Sequence, residues 1–266
     1  MKKTIAIILA LILTLSLAAC GGNADAKTIT VAASPTPHAE ILKVAAEVLA
    51  KDGWTLDIKE YTDYVQPNLV VDDGELDANY FQHVPYLDTF NAENGTKLVS
   101  VAMIHYEPFG IYAGTKSAIA DLSEGDKIAV PNDGSNRARA LMLLESAGLI
   151  TLAEGVGMQA TILDIVENPI GLQIVEMEAA QIDGVRDSVA MAVINGNYAL
   201  QAGLFAGTDG IVAEGSENAT VYANILVVRE GNENTEKTKA LIAALQSDAV
   251  KAYIESTFPG SVVPCF

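Results

Sequence analysis

The chain has 266 residues, of which 50% are hydrophobic, and its 34 acidic side chains outnumber 16 basic ones to give a formal net charge of −18 at pH 7. This charge argues against nucleic acid as a partner, because neutralising phosphates requires clustered Lys and Arg, and against electrostatic adhesion to anionic lipid. Glycine and proline are close to their average usage, so the composition predicts a packed globular core.

Residues 1–19 are predicted to be a signal peptide. A basic pair precedes an apolar run at 5–17, which is shorter than the roughly 20 residues that span a bilayer. The run ends in Leu-Ala-Ala before Cys20, as is typical of a bacterial lipobox. We therefore expect a lipidated Cys20 with a tether over 20–26, anchored on the extracytoplasmic face of the cell membrane. The alternative is an ordinary secretory signal with an incidental cysteine.

From Lys27 onward, short apolar runs alternate with segments of helical periodicity. Strands are predicted at 28–33, 56–61, 97–103, 127–130, 188–194 and 221–228. Helices are predicted at 38–51, 137–147 and 232–257. This alternation predicts an α/β fold with mostly parallel sheets. Since no linker separates two domains, a two-lobed body would need strands that cross between the lobes.

The sequence contains none of the common catalytic motifs: no GxSxG, no HExxH, no Walker loop and no GxGxxG. The chain has two cysteines, Cys20 and Cys265, which excludes a disulfide framework and a CxxC site. We therefore predict that the protein is not an enzyme and needs no cofactor.

The three histidines, His38, His83 and His105, raise an alternative function. All lie in the first half of the chain, and with a carboxylate such as Glu107 they could form a zinc or manganese site. No pair has the spacing of a ligand motif, and a lone histidine is more often a hydrogen-bonded structural residue.

Three other features predict a small-molecule pocket. Residues 78–86 combine aromatic rings and amides near a strand end, where open α/β sheets bind ligands. Arg137 and Arg139 lie near a helix start, and only one of them can face a cleft, where a guanidinium would meet a carboxylate. Asn195 and Asn224 carry amides that donate and accept together, which suits a zwitterion. Taken singly, each feature is also compatible with a core, surface or capping role.

Together these motifs resemble the NlpA/MetQ family, the methionine-binding lipoproteins of ABC importers. The string DANYFQHVPYL at 77–87 is the most specific of them. The other matching strings lie at 37–41, 63–68, 107–108, 129–133, 195–199 and 224–225. The resemblance implies a two-lobed, type II periplasmic-binding-protein fold with a hinge of crossover strands. It also implies an ABC permease and ATPase as partners.

The resemblance further implies lobe boundaries and ligand residues. One lobe would comprise 27–110 plus 224–266, and the other 111–223. Six residues would bind the ligand: an aromatic wall around the methionine side chain, an arginine for the carboxylate and two asparagines for the amino-acid backbone. The aromatic wall would be Tyr64, Phe81 and His83, the arginine would be Arg139, and the two asparagines would be Asn195 and Asn224. His105 and Tyr106 are expected beside the pocket. The ligand is left open among L-methionine, D-methionine, a derivative and a methionine-containing dipeptide.

Overall fold

The computed structural model of the protein describes residues 27–266. The predicted signal peptide, Cys20 and the tether at 20–26 lie outside the described residues. Across 27–266, no helix combines the length and apolar character needed to cross a membrane. The strands of this part of the chain are β1 (Thr28–Ala33), β2 (Thr55–Glu60), β3 (Ala78–His83), β4 (Leu98–Tyr106), β5 (Gly110–Ala113), β6 (Lys127–Pro131), β7 (Thr151–Leu152), β8 (Ile165–Glu167), β9 (Gln173–Met177), β10 (Met191–Ile194), β11 (Gly210–Ala213), β12 (Ala223–Arg229) and β13 (Val263–Pro264).

The α-helices cover the faces of the sheets and fill the connections between strands. They are α1 (Glu40–Ala50), α2 (Gln66–Asp72), α3 (Val84–Asn94), α4 (Gly134–Ser146), α5 (Ile182–Val185), α6 (Gly196–Gln201), α7 (Ala206–Asp209), α8 (Glu236–Leu245) and α9 (Asp248–Thr257). The segment Pro35–Ala39, in which Thr36 is extended (φ −127°, ψ 134°), leads into α1. Short 3₁₀ turns occur at Ile119–Asp121, Gly157–Gln159, Ile162–Asp164, Ala179–Gln181, Arg186–Ser188 and Ser216–Asn218.

Two main sheets carry the architecture. The first has the strand order β13-β4-β12-β3-β1-β2, and the second has the order β11-β5-β10-β6-β9. The predicted α/β class is confirmed, but the prediction of mostly parallel sheets needs correction, because both sheets are mixed. β1 pairs in parallel with β2 and β3, and β6 pairs in parallel with β9 and β10. The remaining pairs of the two main sheets are antiparallel.

The antiparallel pairs arise where the chain crosses between the sheets. β4 ends in the first sheet at Tyr106, and β5 begins in the second at Gly110. The return path leaves β11 at Ala213 and enters β12 at Ala223. The strands that flank the two connections are paired in each sheet, β4 with β12 and β5 with β11. The two sheets are therefore joined by two adjacent connections. The predicted lobe boundaries, at 110/111 and 223/224, fall one residue inside β5 and β12, just past the end of each connection, and stay a prediction.

Each main sheet has its own hydrophobic core. α1, α8 and α9 pack on the first sheet through fully buried side chains such as Ile41, Leu42 and Leu241. Against the second sheet, α4 buries Leu141 and Leu144 among residues of β6 and β10. Burial of this apolar surface, at about 25 cal/mol per Å², is the main stabilising contribution to each half.

α1 lies within the helix predicted at 38–51, and the other two predicted helices need correction. α4 begins at Gly134, three residues earlier than predicted, because the Asp133 side chain accepts a hydrogen bond from the Asn136 N–H and caps the helix. The predicted terminal helix at 232–257 is two helices, α8 and α9. The break falls where the Ser247 side chain caps α9 by accepting from the Val250 N–H.

Candidate functional site

The six residues that the sequence predicts as ligand-binding all line one cleft between the two sheets. The space inside the cleft and at its open mouth together amounts to about 330 Å³. Its lining comes from β3 and β12 on one side and from α4 and the start of α6 on the other. The six are Tyr64, Phe81, His83, Arg139, Asn195 and Asn224. A ligand in this cleft would therefore contact both halves of the molecule.

Aromatic rings form one wall of the cleft. The Tyr64 ring centroid lies 5.8 Å from that of Phe81 and 5.7 Å from that of Tyr86. Behind this wall, the Tyr198 ring lies 5.1 Å from that of Tyr64 and does not line the cleft itself. Tyr86 also lines the cleft: it belongs to the predicted pocket segment 78–86 but not to the six predicted ligand residues. Its hydroxyl donates to the Tyr64 carbonyl oxygen at 3.0 Å. The tilted and edge-on contacts hold the rings in place and leave an apolar, polarisable surface.

His83 ends β3 and caps α3. Its Nδ1 accepts from the Tyr86 N–H at 3.2 Å, and its Nε2 therefore carries the proton that is donated to Asn136 Oδ1 at 3.1 Å. Burial lowers the pKa of His83 to about 3, so the ring is neutral. Both ring nitrogens are engaged, and the side chain offers the cleft an aromatic surface.

The alternative of a metal site on His38, His83 and His105 is not supported, because His83 stands apart from the other two. His38 and His105 instead lie with Glu107, with their ligand atoms within 4.8 Å of one another. In this group, His105 Nε2 lies 2.7 Å from Glu107 Oε1, and His38 Nε2 lies 2.9 Å from Asn224 Oδ1. These contacts form a hydrogen-bond network of buried side chains.

The orientation of Asn195 is set by Asn136. The Asn136 Nδ2 donates to both carboxylate oxygens of Asp133, at 3.0 and 3.1 Å, which leaves its Oδ1 as an acceptor. That oxygen accepts from Asn195 Nδ2 at 2.9 Å as well as from His83. The Asn195 Oδ1 is thereby left as a buried acceptor, and it has no hydrogen-bond partner within residues 27–266.

Asn197 supplies the complementary group. The Tyr64 hydroxyl donates to its Oδ1 at 2.5 Å, and its Nδ2 is a buried donor that finds no partner in the described part of the chain. Asn197 also lines the cleft. It belongs to the string at 195–199 that resembles the family, but the sequence predicts no role for it. Leaving a buried polar group unpaired costs about 1–3 kcal/mol, so an unpaired acceptor and an unpaired donor at one cleft indicate a polar ligand.

Arg139 is held rigidly by Glu214, an acidic residue that the sequence does not distinguish from its many others. Its Nε and Nη2 donate to the two Glu214 oxygens at 2.9 and 2.5 Å, and Nη2 also donates to the Glu107 carbonyl oxygen at 3.0 Å. The guanidinium lies 4.1 Å from the Tyr222 ring centroid. Bidentate pairing and ring stacking fix both its position and its plane.

The prediction that one of the two arginines faces the cleft agrees with the structure. Arg139 is buried at the cleft, whereas Arg137 points away and pairs with Glu176 at 3.4 Å. The expected helix start beside them is wrong, because α4 begins at Gly134 and Arg139 belongs to its second turn.

His105 and Tyr106, which are expected beside the pocket, are buried behind it and are not among the residues that line it. Glu107, whose Oε1 lies 2.7 Å from His105 Nε2, lines the cleft instead. Gly196 makes this possible, because a Cβ on that residue would come within 2.5 Å of the Glu107 Cβ. Tyr106 contributes to the cleft indirectly. Its hydroxyl donates to Glu214 Oε2 at 2.9 Å, and the Glu214 carboxylate holds Arg139.

Two lobes joined by paired crossings, with an aromatic and polar cleft between them, define a substrate-binding protein of the type II periplasmic-binding-protein fold. A family model described as NlpA lipoprotein matches residues 29–266, and the chain belongs to that family.

Characterised relatives extend over nearly the whole chain. A protein named methionine-binding lipoprotein MetQ, from Bacillus subtilis, is 42% identical over 274 residues, covering 99% of each chain. The D-methionine-binding lipoprotein MetQ of Escherichia coli is 41% identical, covering 98% of this chain and 97% of its own. Among solved structures, a nutrient binding protein from Burkholderia cenocepacia bound to methionine superposes with a TM-score of 0.86 at 43% identity. It matches over 90% of this chain and 100% of its own.

We predict that Glu214→Gln destabilises the protein. Removing one partner of a buried ion pair leaves the Arg139 charge uncompensated, which costs about 3–5 kcal/mol. Thermal and urea unfolding followed by circular dichroism should show a clear loss of stability. The exposed Glu217 provides the matched control, and Glu217→Gln should leave the melting temperature nearly unchanged. Equal stability of both variants would contradict the role given to Glu214.

Proposed function

We propose that the protein is an extracytoplasmic solute-binding protein that captures methionine, or a close methionine derivative, for an ABC importer. The observation that carries the proposal is the pair of unmatched buried atoms at the cleft, Asn195 Oδ1 and Asn197 Nδ2, next to Arg139. A zwitterionic amino acid supplies both the donor and the acceptor that these atoms need. The names of the MetQ relatives and the methionine-bound neighbour support methionine as the amino acid.

The ends of the ligand are assigned by hydrogen-bonding type. An ammonium group has only donors, so it fits the unpaired acceptor of Asn195. A carboxylate has only acceptors, so it fits the side of the cleft where Arg139, Asn197 and Asn224 provide donors. Matching every polar group in this way gives specificity, because a ligand lacking one end leaves a buried group unpaired.

The aromatic wall accounts for the side chain of the ligand. Tyr64, Phe81 and His83 would enclose the thioether, and burial of each CH₂-sized group contributes roughly 0.8 kcal/mol. Contacts of sulfur with aromatic rings contribute about 0.3–1.5 kcal/mol more. A branched or charged side chain would lose these contacts.

Delivery to a transporter follows from the two-lobed build. The proposed lobes, 27–110 plus 224–266 and 111–223, meet at the two crossings, and a ligand held by both favours the closed arrangement. A cognate transporter, made of a permease and an ATPase, would recognise that closed form. The protein would release its ligand unchanged, as a binding protein and not an enzyme.

Replacing either asparagine should weaken methionine binding. Asn195→Ala removes the acceptor for the ammonium, and Asn224→Ala removes a donor for the carboxylate. Each should raise the dissociation constant at least about tenfold, which corresponds to roughly 1.4 kcal/mol. Isothermal titration calorimetry of the full chain in detergent micelles measures this, with L-methionine, D-methionine and a methionine-containing dipeptide as ligands. The exposed Asn234→Ala is the control. Unchanged affinity in both cleft variants would remove the assignment.

The proposal includes a lipid anchor on Cys20, which lies outside the described residues. A diacylated cysteine would hold the protein at the membrane, since two acyl chains suffice for stable anchoring. We predict that Cys20→Ala moves the protein from the membrane pellet to the soluble fraction when bacteria expressing it are fractionated. Cys265→Ala, which changes the other cysteine, should leave it in the pellet. Retention of the Cys20→Ala variant in the pellet would contradict the anchor.

A further inference from the structure

A buried polar network behind the cleft reaches the ligand site through Asn224. His38 and His105 are fully buried, with 0% of their surface exposed, and neither lines the cleft. Asn224 and Glu107 do line it and are the groups to which these histidines are hydrogen-bonded. The network therefore acts on the contents of the cleft through the side chains that it holds.

The location of the His38 proton follows from its neighbours. His38 Nε2 faces two oxygens, Asn224 Oδ1 at 2.9 Å and Glu107 Oε1 at 3.5 Å. A bare ring nitrogen would place its lone pair against a carboxylate oxygen, so the proton belongs on Nε2. The other nitrogen, Nδ1, is buried and has no hydrogen-bond partner in residues 27–266, as is compatible with an unprotonated atom.

The same reasoning fixes His105. Its Nε2 donates to Glu107 Oε1 at 2.7 Å, so its Nδ1 must accept, and the Tyr80 hydroxyl donates to it. Glu107 Oε1, the carboxylate oxygen that faces the two histidines, therefore accepts its hydrogen bond from His105. His38 remains the group whose N–H holds Asn224.

A donor at His38 decides which face Asn224 presents to the cleft. Its oxygen is turned toward the imidazole, which leaves the amide Nδ2 as the group available to a ligand. Asn195 is turned the other way, with its Nδ2 bound to Asn136 and its oxygen unpaired. The two asparagines thus present opposite polarities, a donor and an acceptor.

We infer that His38 is a positioning residue that sets the polarity of the ligand site by holding the Asn224 amide with its N–H groups toward the carboxylate end. This inference rests on the proposed function. His38 does not touch the ligand; it acts through Asn224. Without the imidazole N–H, the amide can rotate by half a turn and present its oxygen, which accepts from a ligand carboxamide but repels a carboxylate.

Two replacements of His38 separate hydrogen bonding from packing. His38→Phe keeps a ring of similar size against Tyr80, whose ring centroid lies 4.7 Å away, but removes the donor. His38→Gln keeps an amide N–H at about the reach of the imidazole Nε2–H. Full-length protein in detergent is titrated with L-methionine, and L-methionine amide is measured by competition, so that weak binding still gives an affinity.

We expect His38→Phe to weaken L-methionine binding at least about tenfold and L-methionine amide binding by less than about threefold, so that the preference for the carboxylate falls. His38→Gln should stay within about threefold of the parent protein for both ligands. Equal losses for both ligands, or equal behaviour of the two variants, would overturn the inference, because a purely structural role affects both ligands alike.

A second variant keeps the test decisive if His38→Phe fails to fold. Asn224→Asp keeps an acceptor for His38 but presents an oxygen to the cleft, so its preference should move from L-methionine toward the amide. An unchanged preference would overturn the inference. If the parent protein binds neither ligand, the proposed function fails; if it binds L-methionine and the variants behave contrary to expectation, only the role of His38 fails.

Discussion

Buried hydrogen-bonding groups need partners, and two at the cleft of this protein, Asn195 Oδ1 and Asn197 Nδ2, find none in the described part of the chain. Their other atoms are already committed: Asn195 donates to Asn136, and Asn197 accepts from Tyr64. Neither amide can turn to satisfy itself without breaking a bond that it makes. A polar ligand with a donor at one end and an acceptor at the other removes both deficits.

The rest of the structure keeps this site rigid. Glu214, from the returning connection, holds Arg139 on the second sheet's helix α4 and also accepts from Tyr106 at the end of β4. Glu107, from the outgoing connection, accepts from His105 and lies against Gly196. Both crossings between the sheets therefore carry a buried carboxylate: Glu107 lines the cleft, and Glu214 holds the Arg139 that lines it. Lobe geometry and ligand recognition depend on the same few buried contacts.

The sequence predicts β1 at its observed bounds and finds β10 within a longer predicted strand, since largely buried strands are rich in apolar residues. It does not predict the mixed pairing, because strand direction depends on which distant segments meet. Family motifs locate Arg139 and Asn224, yet Glu214 cannot be singled out among 34 acidic residues. Its role appears only when the return connection brings it to a guanidinium 75 positions away in the chain.

A crystal structure of the protein with L-methionine would show whether the cleft holds the amino acid, and in which direction. We expect the ligand in the cleft with its amino nitrogen at about 3 Å from Asn195 Oδ1. Its carboxylate should lie on the side of Arg139 and Asn224, and its thioether among Tyr64, Phe81 and His83. A ligand bound in the reverse direction, or a cleft that stays empty while methionine binds elsewhere, would contradict this expectation.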